Sequence, residues 1–173
     1  MAFHVRLERP ADAAQVAAVI EAAFADRSVA EFAERIRASP GHVADLAFVA
    51  EDDSEIVGHT MLSRVGLDGH ADVLILTPMS VRPDRQRQGI GATLVQAALA
   101  AADERGEPLV LCEGVPAYYP RFGFRSATEL GLVRPDPRIP DTAWMAIPLR
   151  AYDPVLRGPV VYPPFFPGAP TDA

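Results

Sequence analysis

The chain has 173 residues, a length that fits a single domain able to bury a substantial core. Its 49% hydrophobic and 23% charged content is ordinary for a globular protein. The net charge of −7 argues against non-specific binding to nucleic acid or to an anionic membrane, because those partners select basic surfaces.

The few cysteines and histidines exclude further classes of site. Cys112 is the only cysteine, so an intrachain disulfide and a cysteine-rich zinc site are excluded. The four histidines do not have metal-ligand spacing, and we predict no metal site. No basic segment precedes an apolar stretch at the N-terminus, and no uninterrupted apolar run approaches the length of a membrane span. We therefore expect a cytoplasmic protein.

The first part of the chain predicts a strand, two helices and two more strands. Asp12 with Gln15, and Ser28 with Glu31, have the spacing of capping boxes that open the two helices. Pro40-Gly41 ends the second helix. Acidic and serine residues separate the two strands that follow, which is typical of a turn. The predicted strands are Phe3–Leu7, Leu46–Ala50 and Ile56–Val65.

A strongly apolar segment comes next, at Asp72–Val81 after the turn at Asp68-Gly69, and it predicts a strand buried on both faces. Pro78 interrupts it. Because proline cannot donate to a sheet ladder, the strand should part from a neighbour there. That parting would expose the backbone groups of Met79, Ser80 and Val81.

A glycine-spaced run then leads into an amphipathic helix, which Gly106 is placed to end. A tight turn at a helix N-terminus leaves backbone N–H groups unpaired, and the helix dipole adds partial positive charge, so phosphate is a natural ligand. The dinucleotide fingerprint does not fit, because Leu94 stands where its third glycine is required, and no Walker sequence is present. We therefore predict a site for a pyrophosphate-bearing cofactor.

The remaining segments predict a mixed arrangement of short elements and a tail. The tail, Ala151–Ala173, is rich in proline but carries Tyr162, Phe165 and Phe166, so we expect it to pack on the sheet or on a second subunit. This divides the chain into a domain at 1–150 and an extension at 151–173, with a possible homodimer. The other predicted elements are a strand at Leu109–Cys112, a short helix at Ala117–Arg121, and strands beginning near Phe124 and at Trp144–Leu149.

The glycine-spaced run resembles the acyl-CoA loop of the GNAT N-acetyltransferase superfamily. That pattern, Gln or Arg, two residues, Gly, one residue, Gly or Ala, is matched by Gln86, Gly89 and Gly91. The resemblance implies an α+β fold whose mostly antiparallel twisted sheet is flanked by helices and splayed at the cofactor strand. It implies acetyl-CoA as acyl donor, with pantetheine bonded to Met79, Ser80 and Val81. The implied loop contacts are Gln86, Arg87, Gln88, Gly89, Ile90, Gly91 and Ala92.

A second segment, Gly114–Phe124, resembles the part of the superfamily in which a tyrosine precedes Gly-Phe by four residues. The resemblance places Tyr119 at the position whose phenol contacts the CoA sulfur and protonates the departing thiolate; Tyr118 is expected in the core. With the stretch Leu156–Pro163, the segment is similar to a bacterial branch of predicted acetyltransferases, the YhbS-like proteins. The chain departs from that branch at Val115, where an acidic residue is usual.

The implied activity is direct transfer of an acetyl group to a small-molecule or peptide amine. A neutral amine must attack, so a base is needed. Glu113 and His59 are candidates, and each has an alternative interpretation, as surface charge or as a satisfied buried polar residue. Cys112, in an apolar strand, is expected to be a buried hydrophobe rather than a nucleophile. A second reading remains open, a non-catalytic acyl-CoA-binding sensor on the same fold.

Overall fold

The computed structural model describes residues 3–169, and the chain forms two compact units. The first unit comprises residues 3–63 together with Thr77–Ala101, and the second comprises Arg64–Leu76 and residues 102–169. The helices are α1 (Ala13–Phe24), α2 (Arg27–Arg37) and α3 (Ile90–Glu104). The strands are β1 (His4–Leu7), β2 (His42–Asp52), β3 (Glu55–Leu67), β4 (Val73–Val81), β5 (Leu109–Glu113), β6 (Arg125–Ser126), β7 (Leu132–Val133), β8 (Trp144–Pro148) and β9 (Gly158–Val161).

The strands form one mixed sheet. The hydrogen-bonded order is β1-β2-β3-β4-β5-β8-β6, and β9 pairs with both β3 and β7. The pairs β4–β5 and β7–β9 are parallel. The pairs β1–β2, β2–β3, β3–β9, β5–β8 and β6–β8 are antiparallel. This confirms the predicted α+β fold with a mostly antiparallel sheet.

The predicted splay of the cofactor strand is confirmed. The register of β4 with β5 runs from Leu74 opposite Val110 to Leu76 opposite Cys112 and ends there. Strand β4 itself continues to Val81. Pro78 lies two residues beyond the last pair and has no N–H to contribute to a ladder, which is the physical reason that pairing stops before it.

In the first unit, helix α3 packs closely on the sheet because β3 carries a glycine beneath it. A Cβ at Gly58 would lie 2.8 Å from Ile90 and 2.9 Å from Leu94, so only glycine leaves room for these side chains. Ile90 and Leu94 are buried with Val57 and Val81 in one apolar cluster. This packing fixes the start of α3 and the end of β4 relative to each other.

In the second unit, the C-terminal segment is part of the sheet. Val160 pairs with Leu67 of β3, and Pro159 pairs with Val133 of β7. Beyond β9, Tyr162 and Phe166 are buried, with 4% and 5% of their surface exposed. The sequence analysis missed β7 and β9, because strands of two and four residues beside Gly and Pro lack a readable alternation. Residues 170–173 of the predicted extension lie outside the described residues.

The predicted capping box at α1 is wrong. The Asp12 carboxylate accepts hydrogen bonds from the Arg9 N–H and from the Arg6 guanidinium, and it caps the 3-10 turn that precedes the helix. The Gln15 side chain accepts from the N–H of Ile56 on β3 instead of turning back to the helix start. Asp12 is thus engaged by residues that precede the helix, and Gln15 is engaged by a strand that is distant in sequence.

The capping box predicted at α2 is also wrong. Asp26 is the N-cap, and its carboxylate accepts from the Ser28 N–H. Glu31 instead forms an exposed ion pair with Arg27 one turn away. The short helix predicted at Ala117–Arg121 is a 3-10 turn at Tyr119–Phe122.

Candidate active site

The free end of β4 in the first unit is the segment predicted to receive pantetheine. Ser80 is buried, and among the described residues its Oγ has no hydrogen-bond partner. Its neighbours Met79 and Val81 pack on the apolar cluster beneath α3. Because β4 has already parted from β5 at Leu76, this end of the strand fits an extended polar ligand in place of a neighbouring strand.

The loop that follows presents backbone N–H groups at the start of α3. Within residues 3–169, the N–H groups of residues 87–92 have no protein acceptor, whereas the next one, Thr93, donates to the Gly89 carbonyl. Gly89 has φ +86°, a left-handed conformation that glycine adopts without a steric cost. Unpaired N–H groups and the positive end of a helix dipole together favour an anion such as phosphate.

The two loop glutamines brace the backbone. The Gln86 amide donates to the Val81 carbonyl at 3.2 Å, which ties the loop to the end of β4. Gln88 accepts from Arg85 at 3.1 Å, and Arg85 is ion-paired with Asp52 at 2.6 Å in a buried setting. The side chains of Gln86 and Gln88 therefore hold the shape of the loop, and the loop backbone remains available to a ligand.

Of the three loop arginines, Arg87 alone has no carboxylate partner among the described residues. Arg82 is paired with Glu55 at 2.9 Å and with Asp84 at 2.7 Å, and Arg85 is paired with Asp52. Arg87 is exposed and has φ +59°, an unfavourable conformation for a residue with a side chain. The loop therefore carries one uncompensated positive charge beside its unpaired N–H groups.

In the second unit, Tyr119 lies over the end of β5. It is 7% exposed, and a Cβ on Gly114 would overlap its ring, so the glycine is what allows the phenol to lie against the strand. Phe122 and Phe124 contact the ring edge-on at centroid distances of 6.4 and 5.5 Å. These contacts fix the orientation of the phenol.

The Tyr119 ring and the Cys112 thiol lie beside each other, since a Cβ on Gly114 would overlap both the ring and the sulfur. Burial, with a smaller contribution from Cys112, raises the pKa of Tyr119, so the phenol stays protonated throughout the physiological range. Burial also raises the pKa of Cys112 to about 12. A thiol held in that state is a poor nucleophile, which disfavours an acyl-enzyme on Cys112.

Tyr118 differs from its expected role, because it is only partly buried. Its ring packs under the Arg121 guanidinium at 4.6 Å and meets Tyr119 edge-on at 5.2 Å. Of the two tyrosines, the one predicted to act on sulfur is the more buried. Tyr118 provides a partly exposed wall beside it.

Glu113 follows Cys112 at the end of β5 and is exposed as a residue. The Tyr162 hydroxyl of the C-terminal segment donates a hydrogen bond to its carboxylate. Loss of hydration around the carboxylate raises the pKa of Glu113, the bond from Tyr162 opposes this, and the negative charge of Asp136 adds to it. Sequence reasoning missed Tyr162 as a partner; its only signal was the aromatic content of the tail.

His59, the second candidate base, lies in a buried polar network of the first unit. It is 0% exposed, and its Nε2 is 2.9 Å from Glu8, which also accepts from Arg37 at 2.7 Å. Burial lowers the pKa of His59 and keeps the imidazole neutral. With no exposed surface, it fits the buried polar interpretation.

Comparison with known proteins identifies the family. Residues 44–126 match the profile of an acetyltransferase (GNAT) domain. A GNAT family acetyltransferase from Brucella melitensis, solved in complex with acetyl-CoA, superposes with a TM-score of 0.78 at 30% identity, over 96% of this chain and 99% of that one. The chain belongs to the GNAT acetyltransferase family.

Other GNAT proteins resemble the chain over most of its length. YhbS from Escherichia coli, solved in complex with CoA, has a TM-score of 0.86 at 27% identity over 94% of this chain and 91% of its own. YjhQ, an uncharacterized N-acetyltransferase of Escherichia coli (strain K12), is 28% identical over 163 residues, 90% of each protein. These matches confirm the resemblance to the YhbS-like branch.

Proposed function

We propose that this GNAT chain acetylates a primary amine by direct transfer from acetyl-CoA, the acyl donor. The chain is an acyltransferase of its family. The observation that carries the proposal is the turn at the start of α3, where the glycine-spaced motif and the N–H groups of residues 87–92 without protein acceptors coincide. The donor supplies an activated acetyl group as a thioester.

In this proposal the first unit binds the donor by its backbone. The N–H groups of residues 87–92 hold the pyrophosphate, with the helix dipole of α3 behind them. The backbone of Met79–Val81, past the last pair with β5, bonds to pantetheine and polarises the thioester carbonyl. Gln86 and Gln88 keep the loop in that shape.

The second unit supplies the group that acts on sulfur. Tyr119, which lies beside Cys112, donates a proton to the departing thiolate. Its raised pKa guarantees a protonated donor at neutral pH, and the bond strengthens as negative charge develops on sulfur. The contacts of the Tyr119 ring with neighbouring aromatic side chains orient its hydroxyl group.

The acceptor in this proposal is a small-molecule or peptide amine, and nucleic acid is not a partner. We propose that the protein acts in the cytoplasm, as a monomer or as a homodimer. The net charge of −7 supports a cationic acceptor over an anionic one. In the part of the chain that the structure describes, no helix has both the length and the apolarity needed to cross a bilayer.

The test is to incubate the purified protein with acetyl-CoA and a panel of polyamines, amino acids, aminoglycosides and peptides, following thiol release. We expect at least one amine to raise release above the rate without amine, and mass spectrometry to find the acetylated amine. Tight binding of acetyl-CoA by calorimetry without turnover on any amine would support the sensor reading instead.

A further inference from the structure

The most informative contact outside the loop and Tyr119 is the one between the C-terminal segment and the end of β5. Tyr162 donates its hydroxyl proton to the Glu113 carboxylate across 49 residues of sequence. Direct acetyl transfer needs a neutral amine, and an amine is mostly ammonium at neutral pH, so the reaction needs a group that accepts a proton. Glu113 is a carboxylate with a defined partner in this part of the fold.

Tyr162 is held firmly enough to fix that carboxylate. Strand β9 ends one residue earlier and is paired on two sides, with β3 and with β7. The ring of Tyr162 is 4% exposed and packs on Phe166 at a centroid distance of 5.0 Å. A buried, packed phenol selects one position of its acceptor, whereas an exposed glutamate alone samples several rotamers.

Glu113 nonetheless remains accessible to a substrate. It is exposed, and Tyr162 is bonded to only one of its two carboxylate oxygens, Oε1. Successive strand residues point to opposite faces, so Glu113 and Cys112 face opposite ways, and Tyr119 lies with Cys112. A proton acceptor and a proton donor thus lie on opposite faces of β5 near the same end of the strand, so separate groups take the proton from the amine and give one to sulfur.

We propose that Glu113 is the general base of the transfer and that Tyr162, supplied by the C-terminal segment, is its positioning residue. This rests on the proposed function, because it assigns a step of that reaction. It assigns a catalytic contribution to the C-terminal segment, which otherwise has only a packing role.

Glu113 takes one proton from the ammonium acceptor and leaves a neutral amine. The nitrogen lone pair forms the C–N bond, the C–S bond breaks, and its electron pair stays on sulfur, which Tyr119 protonates. The amide nitrogen loses its remaining excess proton to water, solvent restores Tyr119, and Glu113 returns its proton to solvent. The net change is one amide, one thiol and one released proton.

Among the described residues, the titratable side chains that interact with the Glu113 carboxylate are Tyr162, Asp136 and Cys112. Loss of hydration raises its pKa, the bond from Tyr162 opposes that rise, and Asp136, itself paired with Arg138, adds to it. The neighbouring Cys112 thiol is protonated and carries no charge. A raised pKa makes a carboxylate a stronger base, which suits the role.

The contact itself is tested without any acceptor. In carbon-13 NMR titrations of glutamate-labelled protein, the Glu113 resonance is identified by its loss in Glu113→Gln. Removing the bond by Tyr162→Phe should raise the pKa of Glu113 by roughly one pH unit, the effect of one hydrogen bond to a charged group. Tyr152→Phe, the same change elsewhere in the C-terminal segment, should leave it unchanged. An equal pKa in parent and Tyr162→Phe overturns the positioning role.

The base is tested with the amine that the parent acetylates fastest in the panel. Glu113→Gln should lower kcat roughly 10²-fold or more while KM for acetyl-CoA stays near the parent value. Tyr162→Phe should move the acid limb of the pH–rate profile to higher pH, because the base then protonates sooner as pH falls. If Glu113→Gln keeps the kcat of the parent, Glu113 is not the general base, and the proposed function still holds. If the parent protein releases no thiol with any amine, the proposed function fails. In that case the titration still decides whether Tyr162 holds the Glu113 carboxylate.

Discussion

At the scale of the residue, Tyr119 is a buried phenol whose surroundings keep it protonated. Its ring lies against Gly114 and beside the Cys112 thiol, and burial raises its pKa. A hydrogen bond from such a phenol strengthens as its acceptor gains negative charge, so we expect Tyr119 to contribute to the transition state and not to the binding of acetyl-CoA.

Tyr119→Phe should therefore lower kcat by about 10²–10⁴-fold with little change in KM for acetyl-CoA, because phenylalanine keeps the packing and loses only the proton donor. The measurement is steady-state thiol release with the best amine of the panel. Tyr118→Phe is the matched control and should stay near the parent. Equal losses in the two variants would remove the special role of Tyr119.

Arg87 combines a left-handed backbone with an uncompensated charge. Arg87→Gly should relieve the backbone, raising the free energy of unfolding by about 1 kcal/mol or less, because glycine adopts this conformation freely but loses more entropy on folding. The same variant should bind acetyl-CoA roughly tenfold more weakly at low salt, with a smaller difference at high salt. Calorimetry and thermal melts measure both effects.

Arg87→Lys is the control for charge. It should retain more of the affinity than Arg87→Gly while keeping the backbone conformation. If Arg87→Gly binds acetyl-CoA as tightly as the parent at every salt concentration, the loop acts through its backbone alone.

At the scale of the element, β9 and the aromatic residues after it join the C-terminal segment to the second unit. Phe166 is buried and packs on Tyr162 and Phe165, whereas Phe165 is only partly buried. Of these two phenylalanines, Phe166 is therefore buried, and Phe165 still contacts solvent.

Phe166→Ala should lower the free energy of unfolding by about 3 kcal/mol, the loss typical of a buried phenylalanine. Phe165→Ala should cost clearly less. Denaturant unfolding measures both, and size-exclusion chromatography of the same variants reports whether the segment also contributes to a dimer. Similar small losses of unfolding free energy at both positions would show that the C-terminal segment does not unfold cooperatively with the second unit.

At the scale of the whole molecule, stability against acid depends on the buried network of His59, Glu8 and Arg37. Burial lowers the pKa of His59 in the folded state, so below pH 6.5 His59 binds a proton in the unfolded chain but not in the folded chain. The free energy of unfolding therefore falls as the pH drops below about 6.5, until the folded-state pKa is reached.

Thermal melts between pH 7.5 and about pH 5 should show this fall in the parent and a flatter profile in His59→Gln, which has no titrating ring. His4→Gln removes an exposed histidine of β1 and should keep the parent slope. The slope is the readout, because His59→Gln also changes packing and will be less stable throughout. If the stability of His59→Gln fell with pH as steeply as that of the parent, a group other than His59 would be responsible for the loss of stability in acid.

The sequence by itself determined the features whose causes are local. The end of pairing before Pro78, the start of α3 at Ile90 and its end near Gly106 follow from a missing N–H and from the chemistry of helix ends. The loop motif and the spacing of Tyr119 from Gly123 are local too, which is why family and fold could be predicted. These properties belong to a few consecutive residues and survive any arrangement of the rest.

Only the tertiary structure decided which side chains meet. Asp12 and Gln15 left their predicted capping box for partners on other elements, His59 is buried against Glu8 across 51 residues, and Tyr162 meets Glu113 across 49. Such pairings depend on strand order and on register. Because a register shift of one residue moves every side chain of a strand to the other face of the sheet, no local pattern encodes these contacts. The glycine-spaced loop motif and the candidate base Glu113 were therefore readable in the sequence, and the partner of Glu113, Tyr162, was not.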